Sequence, residues 1–293
     1  PAQMPESRGK GLVMKKVEKL DPAKLPAHLL KVFDLKTNQD ITQNAKALKE
    51  PKDGNFALFS IKHSEQTGWF ADRTYVDLTK PGVTETFLEV TLDPYKKRFG
   101  HEFGQTILGS FTDEPHITPG RSRGELHWSD NLPARFKKHC GYSLLNHLPS
   151  LFLEVGDWKR IRHDYYKFCL DAFSRRWGIP YSEYCAENNL AMTGHYWEHG
   201  WPGMHHNSDN MAMYQWQQVP GIDCLFNQYN EGVNGQFGNV RIVKEVASVA
   251  NQMGRHRKLC EIYGGGGWDI RFEDLKRIAD WNAVFGINLF NQH

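Results

Sequence analysis

From residue 74 to the end of the chain, short apolar runs alternate with stretches whose apolar positions recur every three or four residues. The runs predict strands and the longer stretches helices. "TYVDL" (74–78) reads as a strand. "GVTETFLEVTLDPYKKRFG" then places Val83, Phe87, Val90 and Tyr95 at helical spacing, with Gly100 as the stop. A second strand covers 107–112, where Ile107, Leu108 and Phe111 suggest burial on both faces before the chain runs into Asp113 and Glu114. "NLPARFKKHCGYSLLNHLPSLF" reads as short helices, and residues 157–189 as a long helical stretch interrupted near Gly178, Ile179 and Pro180. Further strands are expected in "LAMTGHYWEH" (190–199), "GIDCLFNQ" (221–228), "RKLCEIYGG" (257–265) and "INLFNQH" (287–293). Between them lie two amphipathic helices, one with Val240, Val243, Val246, Ala247 and Ala250 inward. The other turns Phe272, Leu275, Ile278, Ala279 and Val284 inward.

Apolar strands without period-two polarity, each followed by a helix, imply a parallel sheet covered by helices. At least five such units fit after residue 74, so the predicted fold class is α/β, a (β/α)8 TIM-like barrel incomplete at its N-terminus. An open doubly wound sheet is the second choice. Residues 1–73 are expected to form an irregular N-terminal segment or insertion, and residues 74–293 the catalytic barrel portion. Within the first part, "GLVMKKVEKL" and "NFALFSIKH" look like strands and "DPAKLPAHLL" like a short helix or turn. No G-x-G-x-x-G follows a strand, and the glycines at 264–267 have the wrong order for a dinucleotide loop.

Composition narrows the function classes. With 40% hydrophobic and 13% aromatic residues among 293, the chain suffices for a large core. A formal charge of +2 gives no basis for a nucleic-acid surface, and the basic run at 160–163 is broken by Ile161, as on a solvated helix face. Five scattered cysteines with no C-x-x-C pair favour a reduced compartment and no zinc knuckle. No apolar run reaches the roughly 18 residues of a membrane span. The expectation is a soluble protein, cytoplasmic, or periplasmic or secreted after processing. The start at Pro1 and the stop directly after an apolar strand suggest a piece of a longer polypeptide.

In a parallel barrel every strand delivers its C-terminal residue to one mouth. Glu114, Glu198 and Glu261 each lie where an apolar strand gives way to a loop. Glu114 and Glu261 are separated by 147 residues, room for about three βα units, so they could face each other across the mouth. A pair of carboxyls so placed suits glycoside hydrolysis, one donating a proton to the leaving oxygen and the other attacking the anomeric carbon or activating water. The bland reading of each acid is a turn cap or an arginine partner. Tyr196, Trp197, Trp201, Tyr263 and Trp268 could stack on pyranose faces, the alternative for each being core packing. Asp113, His195, Asn288, Asn291, Gln292 and His293 could meet hydroxyls. His195, His199, His205, His206 and Asp209 form the one cluster resembling a metal site, but the first pair sits at a strand end rather than on a zinc-binding helix. A hard-cation site of carboxylate oxygens stays open.

The blocks "GSFTDEPHI", "LAMTGHYWEH", "VPGIDCL" and "CEIYGGGGWDIRFEDLKRIADWNAVFGINLFNQH" resemble, in that order, the barrel of bacterial glycosyl hydrolases related to the α-L-rhamnosidases of glycoside hydrolase family 106. The resemblance runs from about residue 74 to 293, and "ESRGKGLVM" extends it upstream. It implies an inverting mechanism with Glu114 as general acid and Glu261 as the base that activates water. It further implies substrate contacts from His195, Glu198, Trp268 and Asp269, to which the residue types add Asp113, Tyr263, Asn288 and Gln292. A calcium ion that assists sugar binding is implied too, with no ligands placed on particular residues. Barrel strands upstream and β-sandwich domains downstream are implied to be missing. The expected function is hydrolysis of a glycosidic bond in a poly- or oligosaccharide, α-L-rhamnosidase-like. The alternatives are a retaining β-glycosidase of galactosidase type and a non-catalytic carbohydrate-binding barrel.

Overall fold

A computed structural model describes residues 5–118, 124–198, 206–225 and 233–293. Among the described residues ten strands occur. They are β1 (Lys10–Leu20), β2 (Leu29–Asp34), β3 (Gln39–Asp40), β4 (Lys52–His63), β5 (Gly109–Thr112), β6 (Glu125–Trp128), β7 (Ala191–Gly194), β8 (Gly221–Cys224), β9 (Leu259–Ile262) and β10 (Leu289–Gln292). The chain divides into two compact units, Pro1–Val83 with Ile117–Ala172, and Thr84–His116 with Phe173–His293. The first unit thus joins the N-terminal 83 residues to residues 117–172.

The first unit is built on an antiparallel sheet of order β3-β2-β4-β1-β6. Residues 10–63 are thus regular, not an irregular segment. Phe56 to Phe59 of β4 are all buried, because both faces of this central strand are covered. On one side Phe56 and Leu58 pack with Leu20, Val32 and Ala45. On the other, Phe59 meets Phe33 edge-on and lies against Phe152. "TYVDL" is not a strand. Its amides are spent on the Ser64 hydroxyl and the Ser7 carbonyl, leaving one bridge between Val76 and Arg8.

The second unit carries the parallel strands. β5 pairs with β7, and β8, β9 and β10 form the order β10-β9-β8. The chain entering β8 is stitched to β7, since the Val219 amide donates to Met192 and the Thr193 hydroxyl donates to the Val219 carbonyl. The five strands thus form a half-barrel in the order β5-β7-β8-β9-β10. The helices Asn210–Tyr214, Val233–Gln252 and Phe272–Val284 make the crossovers from β7 onward. The helix Ile179–Glu187, entered through a wide turn at Ser174–Gly178, leads into β7. The protein is therefore mixed α/β, with half a barrel's sheet where the pattern predicts a (β/α)8 barrel.

Two expectations about burial change. Leu108 and Phe111 are 67% and 40% exposed, because β5 has a ladder partner on one side alone among the described residues. In the helix Phe272–Val284 the inward stripe is Leu275, Ile278, Ala279 and Asn282, while Phe272 and Val284 face solvent. The Asn282 side-chain amide donates there to the Ile278 carbonyl one turn back. No helix of the described residues is long and apolar enough to cross a membrane.

Candidate active site

Parallel register decides which side chains meet. Asp223 of β8 stands beside Glu261 of β9, and Asn291 of β10 stands on the other side of Glu261. Cross-strand neighbours in one register share a face, so the three form a row. β5 and β7 end together, with Thr112 beside Gly194. Their next residues, Asp113, Glu114 and His195, arrive at the same end of the half-barrel.

His195 joins the two groups. It is 1% exposed, and its Nε2–H donates to Glu261 Oε2 at 3.1 Å, with Asp113 Oδ1 at 3.6 Å. Its Nδ1 edge faces Glu198 Oε2 at 4.0 Å. One ligand-capable atom from each of Glu114, His195 and Asp223 lies within 4.8 Å of the others. Glu114 and Glu261 thus border a common imidazole, and His293 Nδ1 adds a contact of 3.4 Å to Glu261 Oε1. The Phe111 ring meets His195 edge-on.

Charge in this cluster is settled by burial and by partners acting in opposite directions. Burial alone would keep His195 neutral. The hydrogen bond to Glu261 and the charges of Glu198, Asp223 and Glu261 outweigh it and raise the imidazole to about 9. The same hydrogen bond from His195 holds the Glu261 carboxyl below its ordinary range, against the opposing effect of partial burial. At neutral pH the pair is imidazolium and carboxylate. The linkage follows directly. A group raised by folding stabilises below its unfolded value, near 6.5, and that contribution is lost as pH rises through about 9. Tm is expected to fall between pH 6.5 and 9, and the slope to flatten in His195→Gln, as read by calorimetry across that range.

Local backbone aims the acids. Glu114 has φ +46° and Tyr263, two residues past Glu261, has φ +82°. His116 Nδ1–H donates to the Glu114 carbonyl at 2.8 Å and holds the first of these turns. Gly194 has φ +114°, and a Cβ there would lie 2.0 Å from the Thr112 oxygen. Close approach of β7 to β5 therefore requires glycine.

The remaining predicted residues scatter. Glu198 is 1% exposed, with Oε1 accepting from the Tyr196 amide (3.0 Å) and the Tyr214 hydroxyl (2.8 Å). Asn288 precedes β10 at the opposite end of the sheet, where it bonds the Lys258 amide and the His256 carbonyl. The Tyr263 hydroxyl donates to the Leu275 carbonyl. Trp268 is fully exposed, Asp269 is exposed on the glycine-rich loop, and Gln292 is exposed at the end of β10. Tyr196 is buried in the core against Phe173 and Tyr214. Trp197 and His206 stack beside His116, and Asp209 caps the helix Asn210–Tyr214. His199, Trp201 and His205 lie outside the described residues. Asp223, Tyr214 and Arg241 are site neighbours that the sequence pattern does not single out. Asp223 has one signal, an acid inside the four-residue buried strand Gly-Ile-Asp-Cys.

Calcium takes six to eight oxygen ligands. Among the described residues one cluster of metal-capable groups occurs, Glu114, His195 and Asp223.

Acidic side chains and an imidazole gather at the carboxyl ends of parallel strands, the end where barrel enzymes place their chemistry. The chain belongs to glycoside hydrolase family 106, the alpha-L-rhamnosidase family, which matches residues 64–293. It is 24% identical over 224 residues to a protein of Formosa agariphila named "Putative beta-glucuronidase", covering 74% of this chain and 17% of that one. Its fold is similar to a rhamnosidase from Novosphingobium sp. PP1Y, with TM-score 0.58 and 20% identity over 87% of this chain and 25% of that one. The chain spans about a sixth to a quarter of the length of these relatives.

Proposed function

We propose that this chain carries the catalytic carboxylates of a glycosidase that hydrolyses a poly- or oligosaccharide, α-L-rhamnosidase-like and inverting. One observation carries the reading: the buried His195 donates to Glu261 at 3.1 Å in the cluster that also contains Glu114, a contact that favours the ionised carboxyl. An ionised carboxylate is what a base needs, so Glu261 draws a proton from the attacking water and Glu114 protonates the leaving oxygen. Asp113, exposed and near His195, is placed to meet sugar hydroxyls. The half-barrel is completed to eight strands by chain outside this sequence, and β-sandwich domains accompany it. No step is routed through a metal. EDTA treatment followed by calcium add-back tests the family's calcium dependence.

The test is a panel of aryl α-L-rhamnosides, β-glucuronides and β-galactosides, offered to the full protein and followed by proton NMR. Turnover of the rhamnoside with the inverted anomer appearing first is expected. Retention would replace this mechanism with the galactosidase type, and sugar binding without turnover would leave a carbohydrate-binding barrel. Glu114→Gln is expected to slow substrates with poor leaving groups by about 100-fold. It should slow dinitrophenyl glycosides far less, because they need no proton. Equal losses on both would remove Glu114 from the acid's role.

A further inference from the structure

His195 holds the base, and the elements around His195 offer it several anions. Asp113 and Glu114 come from the end of β5, Asp223 from β8 and Glu261 from β9, and Glu198 lies three residues along its own segment. Four of these five approach the open end of the strands. Glu198 lies behind, on the Nδ1 side, and is as buried as the imidazole itself.

A carboxylate taken out of water costs several kcal/mol unless hydrogen bonds replace its hydration. Here they are built in. Oε1 accepts from the Tyr196 amide and from the Tyr214 hydroxyl, which fixes the plane of the carboxylate and turns Oε2 toward Nδ1. The backbone is pinned as well, because Arg241 Nη2–H donates to the Glu198 carbonyl at 3.1 Å. Arg241 is in turn held by two bonds to Glu245, at 2.8 and 2.7 Å. The Tyr214 phenol is fully buried, and its proton is kept on the oxygen by burial and by the adjacent Glu198 charge. It is therefore a permanent donor.

We infer that Glu198 and Tyr214 form a positioning pair behind His195, setting an anion against its Nδ1 edge so that the ring keeps its charge and orientation while its Nε2–H donates to Glu261. Neither residue touches substrate. The pair acts through the imidazole, which keeps its charge and orientation through the reaction cycle, and the inference rests on the assignment of Glu261 as the base.

The test uses the full chain. The His195 ring signals are titrated by NMR and kcat/KM is followed against pH in wild type, Glu198→Gln, Glu198→Asp and Tyr214→Phe. Glu198→Gln is expected to lower the His195 midpoint by about 1 pH unit or more, since an opposite charge at this range is worth roughly that much. The alkaline limb of the rate profile should move with it, while kcat falls about 10-fold and KM stays within about two-fold. Tyr214→Phe should shift both in the same direction by less, and Glu198→Asp should restore them. If Glu198→Gln does not fold, Tyr214→Phe decides alone. An unmoved midpoint and limb with a lowered Tm would make the pair merely structural, and a raised KM at constant kcat would make Glu198 a substrate contact. Either result overturns the inference. A wild type that cleaves no glycoside would defeat the glycosidase reading, while the NMR midpoint would still judge the positioning pair.

Discussion

Glu261→Gln is expected to lower kcat by roughly 100- to 10,000-fold, with KM little changed. The amide keeps the volume and can still accept from His195 Nε2–H, so the site's shape survives. What disappears is the basic oxygen, since a neutral amide cannot take a proton from water. His195 also loses its closest anion, at 3.1 Å, and its own titration should drop toward the ordinary range. Single-turnover kinetics on an activated glycoside separate the chemical step from binding. Activity above a tenth of wild type would mean that the base lies elsewhere in the cluster, with Asp223, one strand away in register, the first to examine.

Gly194→Ala should destabilise the second unit by about 3 kcal/mol or more. Two effects combine. The backbone is at φ +114°, a region that side chains avoid, and the new methyl would lie 2.0 Å from the Thr112 oxygen and 2.6 Å from its nitrogen. Both neighbours are backbone atoms of a paired strand and cannot swing aside. Gly254→Ala is the control, since φ there is +64° with nothing within 4 Å of the added carbon. It should cost only about 1–2 kcal/mol. Urea titration followed by tryptophan fluorescence compares the two. Equal losses would show that close packing of β7 on β5 contributes nothing.

The strand ends were legible because apolar runs there stop abruptly at an acid. That signal led to Glu114 and Glu261, and the structure brings both to one imidazole. Asp223 was not legible as a neighbour of Glu261, because what unites them is ladder register across a 38-residue separation, which no local pattern records. The partner of Glu198 was equally illegible, since the phenol of Tyr214 that hydrogen-bonds it lies sixteen residues on. In the first unit β1 and β4 were readable as strands, but their sheet also takes in β6, four residues long and some 60 residues later. Such non-local pairing is why those residues looked irregular. The alternation of strand and helix pointed to eight parallel strands, and five fall within the described residues.

The left-handed backbone at Glu114 and Tyr263 has an evolutionary corollary. Each such non-glycine residue carries about 1–2 kcal/mol that glycine would release. Glu114→Gly would therefore toughen the protein while deleting the side chain proposed to donate the proton. Selection for heat resistance alone would drift toward an inert scaffold, so variant libraries here need a turnover assay alongside the thermal one.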